Sequence, residues 1–86
     1  MEGGEIMRTG EALRRRVLEL CARDDLSLNG FCTRCGVRQS TVNNLIRRRN
    51  KSMTVETLYR ICKGSGISLY EFFDSDLFRN IEQEIY

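Results

Sequence analysis

Cys32-Thr33-Arg34-Cys35-Gly36-Val37-Arg38-Gln39-Ser40-Thr41-Val42-Asn43-Asn44-Leu45-Ile46 is the stretch that decides the fold. Leu28, Phe31, Cys32 and Cys35 recur at helical spacing after Ser27, a residue type that caps helix starts, so a short helix is expected there. Gly36 ends it, because glycine enters the left-handed conformation that closes helices at little steric cost. Apolar positions resume at Val42, Leu45 and Ile46, a narrow stripe that buries one side of a second helix expected over about residues 39–48. The other side of that helix is polar throughout.

Outward from this pair the pattern remains helical. A first helix is expected after Thr9 as N-cap and as far as about Asp24, with Leu13, Val17, Leu20 and Cys21 on its inner face. Arg14, Arg15 and Arg16 fall mostly outside, with Glu11 and Glu19 within one turn to neutralise them. Thr54 caps a fourth helix through Leu58, Ile61 and Cys62, broken at Gly64-Ser65-Gly66, and Ser68 caps a fifth over Leu69 to Phe73. After Asp74-Ser75 a last amphipathic helix, about residues 76–85, carries Leu77, Phe78, Ile81 and Ile85 on one side. Proline is absent and strand-like alternation is sparse, so the expected fold class is all-α, a compact bundle of five or six helices. Residues 1–8 are expected to be a mobile tail and residues 9–86 one domain.

Composition removes several classes of function. A length of 86 residues accommodates one domain with a modest core, and 41% apolar with 30% charged residues is a globular balance rather than a disordered one. No apolar run approaches the roughly 20 residues that cross a bilayer, and Met1-Glu2-Gly3-Gly4-Glu5 lacks a signal-peptide core, so no membrane association and a cytoplasmic location are expected. Cys21, Cys32, Cys35 and Cys62 are then kept as thiols. The Cys32-x-x-Cys35 spacing suits zinc or redox chemistry, but a second pair and any histidine are missing, and these cysteines fall on apolar faces. Core packing is the expectation, with no metal and no cofactor. Without histidine nothing is placed to activate a thiol or hydroxyl, so the chain is not expected to be an enzyme.

Charge points to the partner. The net charge is only +2, yet Arg38, Arg47, Arg48, Arg49, Lys51, Arg60 and Lys63 are opposed in their stretch by Glu56 alone. After Lys63, Arg79 faces Glu71, Asp74, Asp76, Glu82 and Glu84. A locally positive field attracts polyanions even when the whole molecule is nearly neutral. At about 100° per residue, Ser40, Asn43, Asn44 and Arg47 cluster opposite the apolar stripe of the second helix, with Gln39 at its tip. Amides bond adenine bidentately and arginine takes guanine or phosphate, so this face suits double-stranded DNA read in the major groove. The run Arg47, Arg48, Arg49 and Lys51 directly after it suits phosphate contact.

The stretch from Cys32 to Ile46 resembles the helix-turn-helix of the Cro/repressor (XRE-like) family of bacterial and phage transcriptional regulators. Leu26-Ser27-Leu28-Asn29 resembles that family's entry into the first motif helix. Thr54-Val55-Glu56-Thr57-Leu58-Tyr59-Arg60-Ile61-Cys62 resembles its fourth helix, and Gly66-Ile67-Ser68-Leu69-Tyr70-Glu71-Phe72-Phe73 its fifth. The resemblance implies a lambda-repressor-like fold. It places Gln39, Ser40 and Asn44 at base edges, Asn43 and Thr41 at flanking bases or the backbone, and Asn29 on a phosphate at a helix start. The chain departs from the family where Arg38 replaces the usual Ser or Thr cap, where Arg48 replaces a frequent Gly, and where Ser52-Met53 replaces Asn-Pro.

The expected function is therefore sequence-specific DNA binding by a transcriptional regulator. One short helix reads few base pairs, so a homodimer is expected, with Leu77, Phe78, Ile81 and Ile85 as its interface. A regulatory protein partner fits the lack of a visible effector domain. The alternative is a protein-interaction module, an antitoxin or adaptor, that uses the C-terminal helix and binds DNA secondarily.

Overall fold

The computed structural model describes residues 7–47, 52–79 and 81–82. Strand β1 (Met7–Arg8) leads directly into α1 (Thr9–Arg23), followed by α2 (Leu28–Cys35), α3 (Gln39–Ile46), α4 (Val55–Ser65), α5 (Leu69–Phe73), α6 (Asp76–Arg79) and strand β2 (Ile81–Glu82). The fold is an all-α bundle with six helices among the described residues, as the helical periodicity anticipates, with one minimal strand pair added.

Three helices begin on the side chains expected to cap them. Ser27 Oγ accepts the Gly30 N–H at 3.1 Å for α2, and Thr54 Oγ1 accepts the Thr57 N–H at 3.1 Å for α4. At α5 the cap is reciprocal: Ser68 Oγ accepts from Glu71 N at 3.0 Å, while Glu71 Oε1 accepts from Ser68 N at 2.8 Å. Each such cap contributes about 1 kcal/mol by satisfying a donor that the helix leaves open. At the other ends, Gly36 (φ 69°) and Gly66 (φ 73°) close α2 and α4 in the left-handed conformation. Val37 N donates to Cys32 O and Ile67 N to Cys62 O, so both helices end in the same doubly bonded turn.

The inner faces meet in one core. Leu13, Val17, Leu20 and Cys21 of α1 pack with Phe31, Cys32 and Cys35 of α2, Val42 and Leu45 of α3, Leu58, Ile61 and Cys62 of α4, and Phe72 of α5. Fully burying an aliphatic or aromatic side chain of this size is worth about 1.5–3 kcal/mol, so the stripes read from the sequence are also what holds the helices together. All four cysteines are buried free thiols.

The chain ends depart from expectation. The helix expected over 76–85 stops at Arg79, and Ile81–Glu82 runs extended and parallel to Met7–Arg8, with Met7 opposite Ile81 and Arg8 opposite Glu82. Within α6, Phe78 turns onto the protein's own core, its ring centroid 4.9 Å from Phe73 and 5.8 Å from Phe72. Strand pairing satisfies backbone groups that a longer helix would have satisfied internally. It also explains why Arg8, extended at φ −87° and ψ 159°, takes the N-cap position of α1 in place of Thr9. The part of the expected tail that is described, Met7–Arg8, is thus paired, and Ile85 lies outside the described residues.

Candidate nucleic-acid interface

Recognition chemistry depends first on how α3 is held. Val42 and Leu45 are buried and Ile46 is half-buried against the core, which fixes the rotation of the helix about its axis. Gln39 and Ser40 are consequently exposed at its N-terminal end, Thr41, Asn43 and Asn44 are half-buried, and Arg47 is exposed. The Gly36-Val37-Arg38 turn sets the direction in which α3 leaves α2, because Val37 packs against the core while Gly36 supplies the positive φ. Arg38 is the N-cap residue and gives no side-chain cap, as its identity implied. The helix ends at Ile46, with Arg47 N donating to Asn43 O at 2.8 Å, slightly earlier than the expected residue 48. Asn29 is exposed in the first turn of α2. Arg48, Arg49 and Lys51 lie outside the described residues.

The ion pairs sort the cations into two groups. Glu11 holds Arg14 at 2.7 Å and Arg15 at 3.0 Å, so this part of the basic run on α1 is neutralised locally. Arg16 meets Glu19 at 3.0 Å and donates to the carbonyls of Phe72 and Glu71, tying α1 to the end of α5. Asp24 is shared by Arg23 and Arg34, whose hydrogen bonds hold its carboxyl well below the usual carboxylate range. Arg79 is held by Asp74 and Asp76. By contrast Arg38 and Arg47, at the two ends of α3, have no acidic partner among the described residues, and both are exposed. Positive charge left unneutralised beside an exposed amide-rich helix is suited to a polyanion.

Arg38 is the residue that sequence reasoning undervalued, counting it in the basic stretch and as a missing cap but giving it no contact of its own. It borders a shallow depression together with Thr41, and the available signal was its position immediately before α3. The thiols offer no competing chemistry. Burial pushes Cys21, Cys32, Cys35 and Cys62 up from the ordinary thiol value, which keeps them protonated and poorly nucleophilic.

Comparison with known proteins settles the family. The Cro/C1-type helix-turn-helix DNA-binding domain matches residues 16–75, which spans α2, the turn and α3. The chain belongs to that family. This Cro/C1-type domain is also similar to the crystal structure of the prophage Lp1 protein 11, with a TM-score of 0.74 and 33% identity over 85% of this chain and 96% of that one. An HTH_3 family transcriptional regulator from Vibrio cholerae gives a TM-score of 0.70 and 25% identity over 80% of this chain. That match takes in 38% of the Vibrio protein, so this domain corresponds to a minor part of it. Among curated proteins none matches. A DNA-binding domain of this family is not catalytic, in keeping with the reading of the chain as a non-enzyme. No helix among the described residues is long and apolar enough to cross a membrane.

Proposed function

We propose that this Cro/C1-type domain is a sequence-specific transcriptional regulator that lays α3 in the major groove of duplex DNA. The observation that carries the reading is the outer face of α3: exposed Gln39 and Ser40, half-buried Asn43 and Asn44, and Arg38 and Arg47 at its two ends with no acidic partner among the described residues. In this reading Gln39, Ser40, Asn43 and Asn44 contact bases, and Asn29, Thr41, Arg47, Arg48, Arg49 and Lys51 contact phosphates. Amides and serine supply the donors and acceptors that distinguish base pairs, while the arginines supply sequence-independent attraction.

Two copies act together on a two-fold site, since paired recognition helices about 34–36 Å apart reach successive turns of the major groove. Their contact is made by the apolar C-terminal residues around Leu77, with Phe78, Ile81 and Ile85 in the same segment. Phe78 already packs its ring against Phe72 and Phe73, which leaves Leu77 as the half-buried side chain best placed to serve a partner.

Selection of the full chain against a randomised duplex pool tests the reading. An enriched motif with two-fold symmetry is expected, and recovery of no motif at all would refute it. The alternative, a protein-interaction module with secondary DNA binding, is favoured by the exposed Leu69, Tyr70 and Phe73 on α5. A tight protein partner retained by a chain that selects no DNA would establish that alternative.

A further inference from the structure

We infer that the cleft between α2 and α4 is a docking site for an acidic peptide segment of a partner protein. This inference is independent of how α3 reads DNA. The cleft encloses about 540 Å³ and is walled by Arg34, Glu56, Tyr59, Arg60 and Lys63 over a floor of Cys35 and Gly64. Gly64 has no side chain and Cys35 rests directly on it, so α2 and α4 meet closely at the floor. Tyr59 is 54% exposed, an aromatic wall with no partner ring among the described residues.

The charges around this floor are preorganised and predominantly positive. Arg34 is fixed by Asp24 at 2.5 Å and lies over the Phe31 ring, with its guanidinium carbon 5.7 Å from the centroid. Arg60 is fixed between Glu56 at 3.1 Å and the Gly36 carbonyl at 3.4 Å. Lys63, one turn further along α4, has no acidic partner among the described residues. Among the residues that line the cleft, Arg34, Arg60 and Lys63 stand against Glu56, three cations to one carboxylate. Groups already held in place lose little entropy when a ligand engages them, which favours binding.

Charge and shape select a peptide over a second stretch of nucleic acid. A DNA strand carries a negative phosphate at every nucleotide and cannot leave one out, so running along the cleft it would set that charge beside the exposed Glu56 carboxylate. A peptide places its carboxylates one at a time, on the Lys63 side and the Arg34 side, and sets a neutral residue opposite Glu56. Between them an aromatic or leucine side chain lies against Tyr59, Cys35 and Gly64. The cleft adjoins the α2–α3 turn through the Arg60 to Gly36 bond, so an occupant sits beside the segment that aims α3.

A displayed library of random twelve-residue peptides, selected on the full chain, tests the proposal, with binding of recovered peptides measured by calorimetry and mapped by amide chemical shifts. Recovered sequences should place at least two Asp or Glu around an aromatic or leucine and perturb Arg34, Tyr59 and Lys63. Lys63→Glu and Tyr59→Ala should each weaken binding by about tenfold or more, while an unchanged melting temperature shows that the fold survives. Peptides without acidic residues, or acidic peptides that bind both variants as well as the parent chain, would overturn the proposal. So would titration of a duplex oligonucleotide that perturbs the cleft residues as strongly as those of α3.

Discussion

Cys35 rests on the bare backbone of Gly64: a Cβ placed on Gly64 would lie 2.6 Å from the Cys35 sulfur and 2.7 Å from its Cα. The sulfur could swing aside, but the Cα belongs to the α2 backbone and cannot. Gly64 is therefore what lets α4 approach α2 closely enough to seal the core beneath the helix pair that carries α3.

Gly64→Ala is expected to destabilise the protein even though alanine favours helices by about 1 kcal/mol over glycine. Forcing two packed helices apart costs about 1–3 kcal/mol, which offsets or exceeds that gain. Thermal melting checks it: a loss of several degrees is expected, and a rise in melting temperature would show that the helices separate freely. Cys35→Ala combined with Gly64→Ala should restore only part of the loss, because the Cα clash remains.

Base reading by α3 predicts a separation between preference and affinity. Gln39→Ala or Asn44→Ala should relax the selected motif at one position, removing about 1–3 kcal/mol of discrimination while leaving non-specific binding nearly unchanged. Repeating the duplex selection with each variant measures this. If both return the parental motif, another element reads the sequence.

Phosphate contact predicts a change in salt dependence. Arg47→Ala should weaken binding to every duplex and make the slope of log affinity against log salt shallower by about 0.9. The same result is expected for Arg48→Ala, Arg49→Ala and Lys51→Ala. Unaltered slopes in all four would assign the run to solvated surface. Arg14→Ala is a useful contrast, since its guanidinium is engaged by Glu11, and no change of slope is expected there.

Acid should act through Asp24. Arg23 and Arg34 depress its carboxyl in the folded protein, so the folded value lies below the unfolded one and the interaction stabilises at pH above about 4. The contribution is lost as pH falls below that value. Melting temperatures of the parent and Asp24→Asn should differ most near neutrality and converge as pH is lowered toward 2. A constant difference across that range would show that the carboxylate charge plays no part.

Much of this was legible in the sequence because its signals were local. The stripes Leu13-Val17-Leu20, Val42-Leu45 and Leu58-Ile61 each lie within one helix, and Ser27, Gly36, Thr54, Gly66 and Ser68 act on their immediate neighbours. What local pattern could not show was pairing across the chain. Nothing near Met7 announces that it will lie beside Ile81, and nothing near Cys35 announces Gly64. The α3 face was readable as residue types, whereas the lack of an acidic partner for Arg38 and Arg47 among the described residues became visible only once Arg14, Arg23 and Arg79 were seen engaged by carboxylates.

The C-terminal segment now separates folding from assembly. Leu77 and Phe78 were both expected at a dimer contact, yet the Phe78 ring lies edge-on to Phe73 and tilted against Phe72, while β2 pairs with β1. Phe78→Ala should therefore lower stability of the isolated chain by about 1–3 kcal/mol, less than the loss of a fully buried phenylalanine because the ring is half-buried. A chain ending at Ser75 should be less stable still, having lost the ring, α6 and the strand pair together. Leu77→Asp is the informative variant for assembly. It should leave melting nearly unchanged but weaken the dimer, lowering affinity for a selected two-fold site more than for its half-site. Light scattering with and without that DNA reads the outcome. A parent chain that stays monomeric in both conditions, or a Leu77→Asp chain that dimerises as well as the parent, would remove this segment from the interface.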